Sequence, residues 1–219
     1  MINIAIDGPS GAGKSTLARA VAKALGIHYL DTGSMYRAVA YAALREGVDI
    51  GDADEVLLLT KRVDLRTEYV DGEQVNLLDG EDVMPYLRRP EISKAASDIS
   101  AYPCVREKLV AMQREVARNY DVVLDGRDIG TYVLPDTKYK FFLTADSGER
   151  ARRRHEELMT QGYDKPYAQV LSEIEQRDRN DSTRSLAPLR QADDAILIDT
   201  TRMNIDEVLA VMLARIGLE

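Results

Sequence analysis

The order of apolar and polar positions alternates short apolar runs with longer segments of helical period. Ile2 to Ile6 carries apolar residues on both sides of Asn3, as a buried parallel strand does. Thr16 to Leu25 follows with helical spacing, and Gly26 suits its C-terminal cap. Ile27 to Leu30 reads as a second strand, Ser34 to Glu46 as a helix stopped by Gly47, and Val56 to Thr60 as part of another helix. Arg106 to Tyr120 is predicted helical, and Val122 to Leu124 and Tyr139 to Leu143 are predicted strands. Glu149 to Gln161 and Tyr167 to Arg177 are strongly charged helices, so solvent exposure and loose attachment are expected of them. Ala195 to Ile198 gives a last strand and Ile205 to Ile216 a closing helix. Strands and helices alternating in this way predict an α/β fold with a parallel sheet flanked by helices.

The texture breaks between Val63 and about Leu78. There two Asp-Gly dipeptides, Asp71-Gly72 and Asp79-Gly80, separate short β-prone runs, which is the pattern of antiparallel hairpins. A small antiparallel β insertion is expected, with Pro85 and Pro90 at its exit.

Composition narrows the picture further. At 219 residues, 45% apolar and 30% charged, the chain has the material for one well-buried α/β core. A net charge of −8 works against a broad nucleic-acid footprint, and no nucleic-acid partner is expected. The single Cys104 supports neither a disulfide framework nor a cysteine-rich zinc site, and Cys104 and His28 are read as packing residues. No apolar run approaches the length of a membrane span, and no leader precedes the first strand, so a cytoplasmic location is expected.

The chemistry starts at Gly8-x-x-x-x-Gly13-Lys14-Ser15, a complete phosphate-binding loop placed after a strand and before a helix. The segment Gly8, Ser10, Gly11, Ala12, Gly13, Lys14, Ser15 and Thr16 is expected to hold a nucleotide. Its backbone N–H groups turn toward an anion, and the helix adds its positive end. Lys14 would reach the β- and γ-phosphates and Ser15 would coordinate Mg²⁺. The chain lacks an Asn-Lys-x-Asp motif and a Leu-Ser-Gly-Gly-Gln stretch. That leaves phosphorylation of a small molecule ahead of a GTPase switch or a transport ATPase.

A kinase must hold two anions head to head, and arginines stand where a second one would be gripped. Arg37 lies one turn into a helix after Asp31-Thr32-Gly33, Arg106 opens a helix, and Arg127 follows an apolar strand within Asp125-Gly126-Arg127-Asp128. Arg150, Arg153 and Arg154 share one helix face and suit a lid over triphosphate, whereas Arg152 suits ordinary surface pairs. Arg177 and Arg184 bracket a polar return segment, RDRNDSTR. Arg127 has a rival reading, an ion pair with Asp125 or Asp128, and Asp128 suits a sugar hydroxyl or a base. Ser97, within KAASDIS, reads by itself as a packed small residue.

The segments GPSGAGKST, YLDTGSMYR, ASDISAYPCVREKL, DGRDIGTYVLPD and RDRNDSTRSLAPLRQADDAILIDT, in this order over nearly the whole chain, resemble the bacterial cytidylate kinase family. Thr32 stands where other members carry serine, and keeps the hydroxyl. The resemblance implies Mg²⁺-dependent transfer of the ATP γ-phosphoryl group to CMP or dCMP by a monomer. It gives Thr32, Arg37, Arg127 and Arg184 to the acceptor phosphate and its surroundings, with Arg184 also facing the sugar. Ser97, Arg106 and Asp128 would read the cytosine edge, a role for Ser97 that its own context does not suggest. Arg177 and Asp181 are placed on the sugar side, and Arg150 and Arg154 join Lys14 over the donor phosphates. The expected organisation is core with phosphate loop over 1–62, β insertion over 63–88, core over 89–146, helical lid over 147–176, and core over 177–219. Other nucleoside-monophosphate kinases, of UMP/CMP or broad specificity, are the nearest alternative. A nucleotide-binding regulatory module is a more distant one.

Overall fold

A computed structural model describes residues 1–217. The elements run β1 (Asn3–Asp7), α1 (Lys14–Leu25), β2 (His28–Asp31), α2 (Thr32–Glu46), α3 (Ala53–Arg62), β3 (Leu65–Val70), β4 (Glu73–Leu78) and β5 (Glu81–Asp82). They continue with α4 (Pro90–Ile99), α5 (Pro103–Asn119), β6 (Val122–Gly126), β7 (Tyr139–Thr144), α6 (Ser147–Thr160), α7 (Tyr167–Thr183), β8 (Ile196–Asp199) and α8 (Ile205–Ile216). A five-stranded sheet has the order β2-β6-β1-β7-β8, and a three-stranded sheet the order β3-β4-β5. The expected α/β architecture and the antiparallel insertion are therefore both present.

The chain divides into two compact units, residues 1–2 with 27–122, and residues 3–26 with 123–217. In the second unit β1 pairs in parallel with β7, Ile4 opposite Tyr139, and β7 with β8, Phe141 opposite Ile196. The apolar side chains of β1 and β6 are buried on both faces, which explains why these strands read as continuous apolar runs rather than alternating ones. Helices α6 and α7 build a small core of their own from Ala151, Leu158, Val170 and Ile174.

In the first unit the two Asp-Gly dipeptides close both turns of the insertion, with Val70 opposite Glu73 and Leu78 opposite Glu81. Asp31 caps α2 through the Ser34 N–H, and Asp52 caps α3 through the N–H groups of Asp54 and Glu55. His28 packs its ring against Tyr69 and Tyr120.

Two element boundaries differ from the sequence reading in ways that bear on function. Helix α7 runs past the predicted end at Arg177 to Thr183, so Asp181 sits on a helix and not on a returning segment. A single wide π-turn, Ile129–Val133, follows Asp128, where the sequence predicts no regular element.

Candidate functional site

In the second unit, β1 delivers the chain into the loop 8–13 and α1 leaves it. Gly8 adopts φ +146°, and a Cβ there would lie 2.0 Å from the Leu143 carbonyl oxygen. Gly11 (φ +77°) would bring a Cβ to 3.0 Å from the Arg150 Cβ. Both positions therefore require glycine for conformation and for space. Helix α1 begins with no side chain on its first N–H groups, as an anion-binding terminus requires. Thr200, buried beyond β8, places Oγ1 3.2 Å from the Ala12 carbonyl and so braces the loop.

Lys14 is buried and donates from Nζ to the Pro9 carbonyl at 2.8 Å. Burial, reinforced by the charges of Arg127 and Arg177 and opposed by Asp125 and Asp181, pushes its ammonium down to about 7. A triphosphate would supply the counter-charge that this environment withholds. Ser15 Oγ donates to Asp125 Oδ2 at 2.9 Å, which brings together two oxygens of the kind a hard divalent cation takes.

Arg127 pairs with a carboxylate that the sequence does not name for it. Its Nε donates to Asp181 Oδ2 at 2.8 Å, from a carboxylate on α7. Burial alone would raise the Asp181 carboxyl, but Arg127, Arg177 and Arg184 hold it below the usual carboxylate range. Arg184 lies 3.7 Å from both Asp181 Oδ1 and Asp128 Oδ1 and donates from Nε to the Ala187 carbonyl. Arg127, Asp181, Arg184 and Asp128 thus form, in that order, one chain of alternating charge.

The charged helix α6 is less uniform than its composition implies. Arg150 is buried, donates to the carbonyls of Ala145 (2.9 Å) and Ser10 (3.1 Å), and pairs with Asp178 at 2.7 Å. It grips the phosphate loop itself. Arg153 donates from Nη2 to the Thr200 carbonyl at 2.8 Å, Arg154 pairs with Glu157, and Arg152 makes surface pairs with Glu149 and Glu156. A cavity of about 690 Å³, lined by Thr144, Ala145, Asp146, Asp199, Thr201 and Arg202, opens at the C-terminal ends of β7 and β8, where α/β sheets bind ligands.

In the first unit, Thr32 is buried in the first turn of α2, and Arg37 pairs with Asp31 at 2.7 Å. The insertion fixes this turn. Gln74 accepts from the Asp31 N–H at 2.7 Å and donates to Ser34 Oγ at 2.9 Å, while Asn76 donates to the same hydroxyl at 2.8 Å. Ser97, half-buried on α4, accepts at its carbonyl from Ser100 Oγ. The Ser100 carbonyl in turn accepts from Arg106, which is buried on α5 with its guanidinium 5.7 Å from the Tyr36 ring. Ser97 and Arg106 are therefore linked through one residue.

The profile of the cytidylate kinase family matches residues 4–217. The chain belongs to the cytidylate kinase family. A cytidylate kinase of Caldicellulosiruptor saccharolyticus is 51% identical over 212 residues, 97% of this chain and 94% of that one. A cytidylate kinase of Pelotomaculum thermopropionicum is 50% identical over 98% of this chain and 96% of that one. Solved structures share the fold at low identity. A gluconokinase from Sinorhizobium meliloti has a TM-score of 0.51 at 16% identity, covering 99% of this chain and 93% of that one. A shikimate kinase from Bacteroides thetaiotaomicron has 0.50 at 18%, covering 99% of each. Among the described residues, no helix is long and apolar enough to cross a membrane.

Three carboxylates take positions in the site that the sequence does not assign them: Asp125, expected only as a partner for Arg127, and Asp7 and Asp178, for which no role is expected. For Asp125 the signal is legible, an acid ending a fully apolar strand. For Asp178 it is absent, since only folding brings it to Arg150.

Proposed function

We propose that this chain transfers the γ-phosphoryl group of ATP to CMP or dCMP, giving CDP or dCDP. The observation that carries the reading is the buried Lys14, at the head of α1, in the field of the Arg127–Asp181 pair. One end of that arrangement suits a donor triphosphate and the other a second phosphate.

Loop N–H groups and Lys14 hold the β- and γ-phosphates and stabilise charge on the moving phosphoryl group. Arg127, held through Nε, is assigned to the acceptor phosphate with its remaining N–H groups, and Arg37 and Thr32 of α2 to the acceptor phosphate and its surroundings. Ser97, Arg106 and Asp128 read the cytosine edge, and Arg177, Asp181 and Arg184 serve the sugar and phosphate side. Arg150 acts on the donor side by shaping the loop through Ser10, and Arg154 reaches the phosphates from α6. The nucleoside of ATP occupies the cavity beside Thr201 and Arg202. The acceptor is an ionised phosphate oxygen, so no strong general base is needed.

Mg²⁺ fits the Ser15 hydroxyl and the Asp125 carboxylate, with further ligands from phosphate and water. When bound it neutralises charge on the phosphate oxygens. Initial rates with CMP, dCMP, UMP, AMP, dTMP and shikimate test the reading. CMP and dCMP should give the highest kcat/KM, and UMP equal to CMP would remove the cytosine-reading role of Ser97, Arg106 and Asp128.

A further inference from the structure

One buried carboxylate joins the phosphate loop to the segment that carries Arg127 and Asp128. Asp7 ends β1, immediately before Gly8, and is 4% exposed. Each of its oxygens accepts one backbone N–H, Oδ1 from Ile129 at 2.8 Å and Oδ2 from Gly130 at 2.7 Å. These residues open the π-turn that follows Asp128. The same turn returns to catch the Asp128 carbonyl with the N–H groups of Tyr132 (2.9 Å) and Val133 (3.1 Å).

The contact is closely fitted. A Cβ on residue 130 would lie 3.4 Å from Asp7 Oδ2 and 3.2 Å from the Lys140 Cδ. Burial pushes the Asp7 carboxyl up to about 7 although both N–H donors favour its ionised form, with Asp128 adding to the rise and Lys14 opposing it. With both of its oxygens committed to one turn, Asp7 fixes the turn's position more tightly than an apolar contact would.

We propose that Asp7 is a positioning residue for phosphoryl transfer, gripping Ile129 and Gly130 so that Arg127 and Asp128 are held in place relative to the phosphate loop. The proposal rests on the acceptor-side reading of Arg127 and Asp128. It adds a residue that touches neither nucleotide.

Asp7→Asn keeps the shape but turns an NH₂ toward one of the two N–H donors. In the full-length chain it should speed amide exchange at Ile129 and Gly130. It should also raise KM for CMP about tenfold, as expected for one lost charge-assisted hydrogen bond, while KM for ATP stays within about twofold. A lower Tm with both KM values unchanged would reduce Asp7 to a stabilising residue and overturn the proposal. If Asp7→Asn does not fold, Gly130→Ala presses on the same contact and must raise KM for CMP. Wild-type kinetics in that variant would overturn the proposal as well. Arg127→Ala, measured alongside, separates the two readings. Unchanged KM for CMP there defeats the acceptor role of Arg127. The Asp7 proposal fails when Arg127→Ala raises KM for CMP and Asp7→Asn does not.

Discussion

The two compact units each bury a polar cluster, and they do so by opposite means. In the unit with the phosphate loop the cluster is ionic, with Lys14, Arg127, Arg150, Asp125 and Asp181 all buried or nearly so. In the other unit the centre of the cluster is neutral, since Gln74, Asn76 and Ser34 exchange hydrogen bonds around the turn that carries Thr32. Within the ionic cluster Arg127 and Asp181 stabilise each other's charge, whereas burial works against the Lys14 ammonium, so it is Lys14 that an anion would relieve. The neutral cluster is complete in itself and fixes geometry without depending on pH. On the reading proposed above, the phosphate loop with Lys14 would respond to its ligand, and the turn that carries Thr32 would stay where it is.

The largest effect should come from the ionic side. Lys14→Ala removes the cation of the loop itself and should lower the rate of transfer by about 10²–10³-fold, the scale of losing one preorganised donor to transition-state charge. Single-turnover measurements at saturating ATP and CMP check this. A loss of less than about tenfold would mean that Arg127 and Arg150 carry the phosphate charge without it.

On the neutral side, Gln74→Leu strands the Asp31 N–H, whereas Ser34 Oγ keeps its bonds to Asn76 and to the Asp31 carbonyl. The substitution should cost about 1–3 kcal/mol of stability, the penalty for a stranded buried polar group. The size of that loss should be the same at about pH 6 and pH 9, since no ionisable group of the cluster changes charge in that range. Denaturant titrations at both values decide it, and a pH-dependent loss would erase the contrast between the units.

A smaller effect distinguishes the two sides in the wild-type chain. With Lys14 pushed down to about 7 from its ordinary 10.5, the folded chain holds fewer protons than the unfolded one between those values. The contribution of Lys14 to stability therefore rises with pH through that window. A bound triphosphate restores the ammonium, so ATP binding near pH 8 should take up a fraction of a proton. CMP binding should take up less. Calorimetry in two buffers of different ionisation heat reads both.

Much of this architecture is legible in the sequence, and particular residues show where legibility stops. The phosphate loop, the parallel strands and the insertion follow from spacing and from two Asp-Gly dipeptides. The last turns of α7 do not, because RDRNDST contains no apolar residue to carry a period. The period is nevertheless present. Val170, Ile174 and Asp181 are the buried positions of α7, and a carboxylate occupies the last because its partners are arginines rather than hydrocarbon. Arg150 shows the converse, a charge that looks solvated in a run of arginines and is buried against Ser10 and Asp178. Charge at a core position becomes readable only once its counter-charge is located, and in this chain the counter-charges lie on other elements.

The separation of the two sides is tested most directly by one crossed binding measurement, ATP and CMP each titrated into Lys14→Ala and Gln74→Leu. Lys14→Ala should weaken ATP and leave CMP within about twofold, and Gln74→Leu should weaken CMP and leave ATP within the same range. If either variant weakened both nucleotides alike, the ionic and neutral clusters would act as one site, and the division between donor and acceptor sides would be wrong.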